Sequence, residues 1–420
     1  MVATPGGSAR DDRAEQRPLP LAGVRVVDFT WIVAGPQATR ILADLGAEVI
    51  RVENEDYLDS LRFSVPEPGT PRSHNRSGLF NNLNRNKLGI TTNLHHPGGR
   101  EVVERLIASA DIVTENYSPG AFERMGFPWK RLVELNPGII YLSLSGFGHE
   151  GRDRAYVTWG PTAQAVSGLT HLSGLPDQPP AGWGYSYLDH SAGYYGAIAL
   201  LMALRRCRRG EGAQRIDLSQ VETGMTMCGV QMLDWQINGR ASVRVGNRAR
   251  HPEVAPHNTF RCAGEDRWIA IAAETDAHWQ ALCDALDARD LASQERYATN
   301  AGRVAEQDAL DAAIEARTRS RDPHELMYAL QARGVPAGVA QTTQDKMERD
   351  EQLAARGFYP WGPSAELGDH RYEGLPFQFR RLGWSVRRGA PALGEHTREV
   401  VARLGYGEAE IARLLAEEAL

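Results

Sequence analysis

The β-branched run Val24-Arg-Val-Val-Asp-Phe29 is followed by a helical pattern from Gln37 to Leu45, then by Gly46 and a second apolar run, Ala47-Glu-Val-Ile-Arg-Val52. Strand, helix and strand in that order form a β-α-β unit, and two strands joined through a helix run parallel. A parallel sheet has both faces covered, so this opening commits the chain to an α/β architecture.

The alternation continues. A helical segment runs from Gly98 to Ala110, a strand from Asp111 to Thr114, a short helix from Ala121 to Met125 closed by Gly126, and a strand from Gly138 to Ser145. After a Gly- and aromatic-rich stretch, Ser167 to Tyr187, comes the apolar helix Ser191 to Arg206. Strand Gln214 to Leu218 then leads into a long apolar helix from Gln220. Around Gly239 to Pro256 the composition turns to Gly, Asn, Arg and Pro, which reads as a connection between domains. The segment from Thr259 to Ala272 has the pattern of a hairpin, with helices after Asp276 to pack on it. The final segment ends in a helix from Glu395 to Leu404. The expected layout is a flexible tail at 1–18, a large Rossmann-like domain at 19–220, a linker helix with a smaller α+β domain at 221–333, and a return segment at 334–420 whose C-terminal helix packs on the large domain.

With 420 residues, 24% charged and 42% hydrophobic, the chain fits a soluble globular enzyme of two or three folding units. A net charge of -6 offers no general attraction to nucleic acid or to an anionic membrane, so neither partner is expected. The longest nearly uncharged run, Gly193 to Leu204, is far short of the roughly 20 residues that span a bilayer. Cys207, Cys228, Cys262 and Cys283 include no C-x-x-C pair, so neither a zinc site nor a disulfide framework is expected, and a reducing cytoplasm is the simplest setting.

Gly146-Phe-Gly-His-Glu-Gly151 matches the spacing of a dinucleotide loop, but no helix start follows it and no acidic strand end lies about 20 residues on. The first β-α-β unit has the shape of that fold without its phosphate loop, because the turn Ala34-Gly-Pro36 holds a single glycine. No G-x-S-x-G elbow occurs, and His95-His96 has no partner spacing for a metal; no metal site is expected. Asp189, within Tyr185-Ser-Tyr-Leu-Asp-His-Ser-Ala-Gly-Tyr-Tyr-Gly196, stands just ahead of a helix rich in small apolar residues. Taken alone it reads as a helix N-cap. The same geometry also keeps a carboxylate ionised and nucleophilic in a dry pocket.

Short blocks along the chain, from Leu21 to Leu404, carry a resemblance. They are Val26-Val-Asp-Phe-Thr30 with Ala34-Gly-Pro36, Leu42-Ala-Asp-Leu-Gly-Ala-Glu-Val-Ile50, Asn84-Arg-Asn-Lys87, Glu115-Asn-Tyr-Ser-Pro-Gly120 with Arg124-Met-Gly126, and Leu135-Asn-Pro137. Leu144-Ser-Gly-Phe-Gly148, Asp189 before its helix, Gly212-Ala-Gln214 with Asp217-Leu-Ser219, and Gly394-Glu-His-Thr397 follow. In number and order they resemble the class III CoA-transferases, a group that includes formyl-CoA, carnitine and arylsuccinate CoA-transferases.

The resemblance implies an interlocked dimer, each subunit with a large Rossmann-like and a small domain, and coenzyme A or acyl-CoA as substrate with no tightly bound cofactor. A homodimer is expected, and a heteromer with a homologous subunit is the alternative. The resemblance also implies that an aspartate, matched by Asp189, attacks the acyl-CoA thioester to form an anhydride, which released CoA converts to an aspartyl thioester. Lys87, Asn116, Tyr117, Arg124 and Met125 match positions that hold CoA, with Asn84 and Arg85 beside them. Val33 stands where formyl-CoA transferase has a glutamine, and with Trp31, Trp159 and Tyr187 it implies a pocket for a bulky, aromatic or dicarboxylic acid. Three rival readings stay open: an α-methylacyl-CoA racemase, whose acid/base histidine would stand at Trp159; an intramolecular CoA-transferase using the same Asp189; and a non-catalytic subunit of a two-protein transferase.

Overall fold

In the computed structural model, residues 17–63, 73–249, 252–364 and 366–420 are described; most of the expected tail lies outside them. The first strands are β1 (Arg25–Asp28), β2 (Glu48–Glu53), β3 (Lys87–Thr91), β4 (Ile112–Glu115), β5 (Ile140–Ser145) and β6 (Gln214–Ser219). They pair in the order β3-β2-β1-β4-β5-β6, every pairing parallel. This is the strand order of doubly wound dinucleotide-binding sheets, in which the chain reverses direction of travel at the central strand.

Two faces of the sheet follow from the two-residue period of a strand. Val26, Val49, Ile112, Ile140 and Leu142 point into one core, against Ile41 and Leu42 of helix α1 (Ala34–Asp44). Their chain neighbours Val27, Ile50, Val113 and Tyr141 point into the other, against Val102, Val103, Leu106 and Ile107 of the helix Pro97–Ala108. Each fully buried aliphatic side chain contributes about 1.5–3 kcal/mol. The edge strand β6 alternates between exposed and half-buried residues, as an edge with one wet face does.

Strand β3 falls where no strand was expected. Its residues Lys87-Leu-Gly-Ile-Thr91 are all buried, and the lysine is tolerated there because its charge is met within the chain. The helix Glu408–Ala416 is a second unexpected element; with the helix Thr397–Arg403 it supplies Val400, Val401, Ile411 and Leu414 to the same core as Val27.

Three further helices bear on the site: α2 (Gly160–Val166), α3 (Tyr187–Cys207) and α4 (Gln220–Thr226). Helix α3 lies tight against α1, and small residues permit it: a Cβ on Gly193 would fall 2.6 Å from the side chain of Gln37 and 2.8 Å from the Ala34 carbonyl. The long apolar helix expected from Gln220 is two helices, α4 and α5 (Gly229–Asn238), broken at Met227 and Cys228.

The chain divides into two compact units. One comprises Met1–Thr170, Gly182–Gly239 and Gln352–Leu420, the other His171–Ala181 and Arg240–Glu351. Residues 221–239 therefore group with the sheet, through α4, and 334–351 with the second unit, because β9 (Ala337–Val339) pairs there. That unit holds a three-stranded antiparallel sheet, β7 (His257–Arg261), β8 (Trp268–Ala272) and β9, with β8 central. Its core centres on Trp279, fully buried on the helix Asp276–Ala285.

Candidate active site

The carboxyl ends of β1, β4, β5 and β6 converge where the strand order turns back, the place where doubly wound sheets bind ligands. A cavity of about 170 Å³ opens there. Ile32, Val33 and Ala34 reach it from the turn after β1, Asn116 and Tyr117 from the loop after β4, Leu144 and Ser145 from the end of β5, and Gln220 from the residue after β6. Asp189 completes it from α3, with Tyr156, Val157 and Trp159 also in the lining.

Asp189 is the third residue of α3, and Ser186 holds the N-cap position, so the aspartate is inside the first turn rather than capping it. It is 8% exposed. Gln220 Nε2 donates to its Oδ1 at 2.6 Å, and the Ser186 side chain and the Gly160 N–H add further hydrogen bonds to the carboxylate. Burial pushes its pKa above the ordinary value, and these three donors pull against that rise. Three hydrogen bonds thus favour the charged form, and burial outweighs them. Gly160 must be glycine, since a Cβ there would sit 2.5 Å from Asp189 Oδ2.

Among the remaining expected residues the structure separates two groups. Asn116 and Tyr117 line the cavity with Val33 and Trp159. Trp31 stands beside them: its indole N–H donates to the Tyr117 hydroxyl at 2.9 Å, and the two rings meet edge to face. Asn84, Arg85 and Lys87 are not in the cavity; all three are fully buried. Lys87 Nζ contacts Asp28 at 3.0 Å, Thr39 at 2.8 Å and Asn84 Oδ1 at 2.9 Å. Arg85 pairs with Asp44 at 2.7 Å. Their side chains have hydrogen-bond partners inside the fold. Arg124 is exposed and Met125 half-buried at the end of the helix Ala121–Arg124, away from the cavity lining. Tyr187 opens α3 but packs its ring against Trp183, 4.6 Å between centroids, rather than lining the cavity.

Gln220, Gly160 and Ser145 were not anticipated. Gln220 is 31 positions from Asp189 in sequence and only the β5–β6 pairing brings it there, with Ser145 opposite Ser219. His149, the one histidine near the Ser-Gly block, is 7% exposed and turned to Ser143, 2.5 Å from its Oγ. Among the described residues no group of three His, Cys, Asp or Glu is arranged to hold a metal, and no helix is long and apolar enough to cross a membrane.

The sequence matches the profile of CoA-transferase family III over residues 21–397. It is 33% identical to a succinyl-CoA–D-citramalate CoA-transferase of Chloroflexus aurantiacus over 97% of this chain and all of that one. It is 32% identical to a succinate–glutarate CoA-transferase of Agrobacterium fabrum, covering 94% of this chain and 97% of the relative. A formyl-CoA:oxalate CoA-transferase of Streptomyces coelicolor is 30% identical over 94% of this chain and 97% of its own. The crystal structure of a CaiB/BaiF family protein from Brucella suis superposes with a TM-score of 0.84 at 32% identity, covering 93% of this chain and 100% of that one.

Proposed function

The chain belongs to CoA-transferase family III and is a class III CoA-transferase, and on that premise we propose that Asp189 carries first the acyl group and then CoA. One observation carries the reading: a buried carboxylate, held by Gln220, faces a cavity at the switch point of the sheet.

A carboxylate oxygen of Asp189 attacks the thioester carbon of the acyl-CoA. The C–O bond forms, the C–S bond breaks and CoA leaves as thiolate. The thiolate then attacks Asp189 Cγ, the Cγ–O bond to the acyl group breaks, and the donor acid departs as its carboxylate. An acceptor acid reverses the two steps and leaves with CoA. No proton changes hands, which suits a site whose lining offers an indole at Trp159 rather than an imidazole. A racemase needs an acid/base group opposite its aspartate. Tyr117, Tyr156 and Asn116 offer an aromatic wall and a polar amide to the acyl-CoA, and Val33, Ile32, Leu144 and Val157 favour a bulky or aromatic acyl group.

The partner is a second copy of the chain, in the interlocked arrangement of the resemblance. Val230, Leu233, Trp235 and Ile237 of α5 are 71%, 56%, 61% and 75% exposed, a concentration of apolar surface suited to an interface. All four cysteines are unpaired, which fits a reducing cytoplasm.

The test is chemical trapping. Hydroxylamine or borohydride applied with acyl-CoA modifies Asp189 in the wild-type chain, and Asp189→Ala abolishes transfer with its circular dichroism unchanged. Full transfer by Asp189→Ala defeats the reading.

A further inference from the structure

Resting on that reading of Asp189, we propose that Gln220 is a catalytic residue: its side-chain amide holds Asp189 Oδ1 as the carbonyl oxygen and stabilises the negative charge on it when CoA attacks Cγ, leaving Oδ2 to form and break the acyl bond.

The geometry distinguishes the two carboxylate oxygens. Oδ1 receives the Gln220 Nε2 proton at 2.6 Å, between two side chains that are 6% and 8% exposed. The amide has one sensible orientation, because the Thr158 hydroxyl donates to its Oε1 at 3.5 Å and the Nε2 faces the acceptor-only carboxylate. Oδ2 lies beside the bare Cα of Gly160, where any side chain would be 2.5 Å away. Oδ1 is thus held by a buried side-chain amide, the Ser186 side chain and the Gly160 N–H also donate to the carboxylate, and the missing Cβ at Gly160 lets Oδ2 pack closely against that residue.

Chemistry needs that division. Before reaction the charge is shared by both oxygens. In the anhydride, Oδ2 is bonded to the acyl carbon and Oδ1 is a neutral carbonyl oxygen. When the CoA thiolate adds to Cγ, the S–Cγ bond forms and the carbonyl pair moves onto Oδ1. Collapse restores that carbonyl and breaks the Cγ–Oδ2 bond, so Oδ2 leaves with the donor acid. A buried, preorganised donor on Oδ1 is worth most at the tetrahedral stage, when the charge is concentrated on one atom. A packing residue at the start of α4 would need neither the short hydrogen bond nor the oriented amide.

Gln220→Met keeps the length and removes the donor; Gln220→Asn keeps the amide but withdraws it by one methylene. Both are expected to lower kcat for transfer by about 10²–10³-fold with KM for acyl-CoA changed by no more than roughly threefold. Less CoA thioester on Asp189 should be seen by mass spectrometry of quenched enzyme. Loss of the donor also raises the Asp189 pKa, so the acid limb of kcat/KM moves to higher pH, which a packing defect would not cause. The oxygen roles have their own readout: with the acceptor acid labelled by ¹⁸O in its carboxylate, one turnover leaves one labelled oxygen on Asp189, and the next turnover releases it with the donor acid. If either variant, assayed at a temperature where circular dichroism shows it folded, keeps wild-type kcat and acid limb, the proposal is overturned, whatever its loss in melting temperature. Activity in Asp189→Ala would instead remove the underlying reading, so the two failures are distinguishable.

Discussion

Asn116 grips the Trp31 peptide group on both sides, its Oδ1 accepting the Trp31 N–H at 2.7 Å and its Nδ2 donating to the Trp31 carbonyl at 2.9 Å. The next residue, Ile32, has φ 58°, a left-handed conformation that a β-branched residue rarely adopts and that costs on the order of 1–3 kcal/mol. Asp59 Oδ2 accepts the Ile32 N–H at 3.1 Å, and Arg51 ties Asp59 to the Thr30 carbonyl with two 2.7 Å hydrogen bonds. These contacts hold a strained turn that puts Ile32 and Val33 on the cavity wall. Asn116→Asp keeps the acceptor but sets a carboxylate oxygen against the Trp31 carbonyl. A stability loss of about 1–3 kcal/mol is expected, with a fall in kcat/KM, by thermal melting and steady-state kinetics. Wild-type values for both would show the turn is held without Asn116.

Asp189 is held for reaction at a cost to the fold. Its folded pKa is raised by burial, against Gln220, Ser186 and Gly160, so the folded state favours the protonated form. The stability this carboxyl supplies at low pH is lost as pH rises through its unfolded and then its folded pKa. Asp189→Asn, neutral and of the same shape, is expected to melt higher than wild type at pH 7 and to lose that advantage near pH 3, while transfer is abolished. A lower melting temperature at pH 7 would show that the hydrogen bonds outweigh burial.

The β-α-β opening is readable because β1 and β2 are β-branched runs separated by a helix and Gly46, and two-faced burial follows from parallel pairing. β3 is not, since Lys87 and Gly89 are poor strand residues and only the distant Asp28 makes the lysine tolerable. Asp189 stands out through its family blocks and its small-residue helix; Gln220 carries no local signal, because its role comes from the β5–β6 register. Lys87 matches a CoA-holding position, with Asn84 and Arg85 beside it, and Lys and Arg suit phosphates as residue types. The structure buries them against partners inside the fold, and burial of a cation depends on counter-charges 41 and 59 positions away.

That burial gives Lys87 a structural role that can be measured. Burial pushes its pKa down to about 8 and Asp28 opposes that fall; burial also raises Asp28, but Lys87 and Arg51 outweigh it and hold the carboxylate ionised. Removing one partner leaves a buried unpaired charge. Lys87→Met is expected to cost about 3–5 kcal/mol, and the double variant Lys87→Met with Asp28→Asn to recover much of it. CoA affinity of the folded double variant should match wild type. A large affinity loss at unchanged stability would return Lys87 to phosphate binding.

Glu115, immediately before Asn116, provides the clearest pH signature. Its carboxylate accepts the Tyr141 hydroxyl at 2.8 Å and the Tyr117 N–H at 2.7 Å, with His149 3.9 Å away and Ser143 also bonded to it. Burial nonetheless lifts its pKa from 4.5 to about 7, with Glu123 adding to the rise. Because the folded value exceeds the unfolded one, its stabilisation is complete below pH 4.5 and is lost as pH climbs through 7. The loss amounts to roughly 3 kcal/mol. Glu115→Gln keeps an acceptor for the Tyr117 N–H and cannot ionise, so its melting temperature relative to wild type should increase across that window and level off above it. A difference that stays flat from pH 4.5 to 8 would mean that the hydrogen bonds from Tyr141, Tyr117 and Ser143 already keep Glu115 ionised at its ordinary pKa.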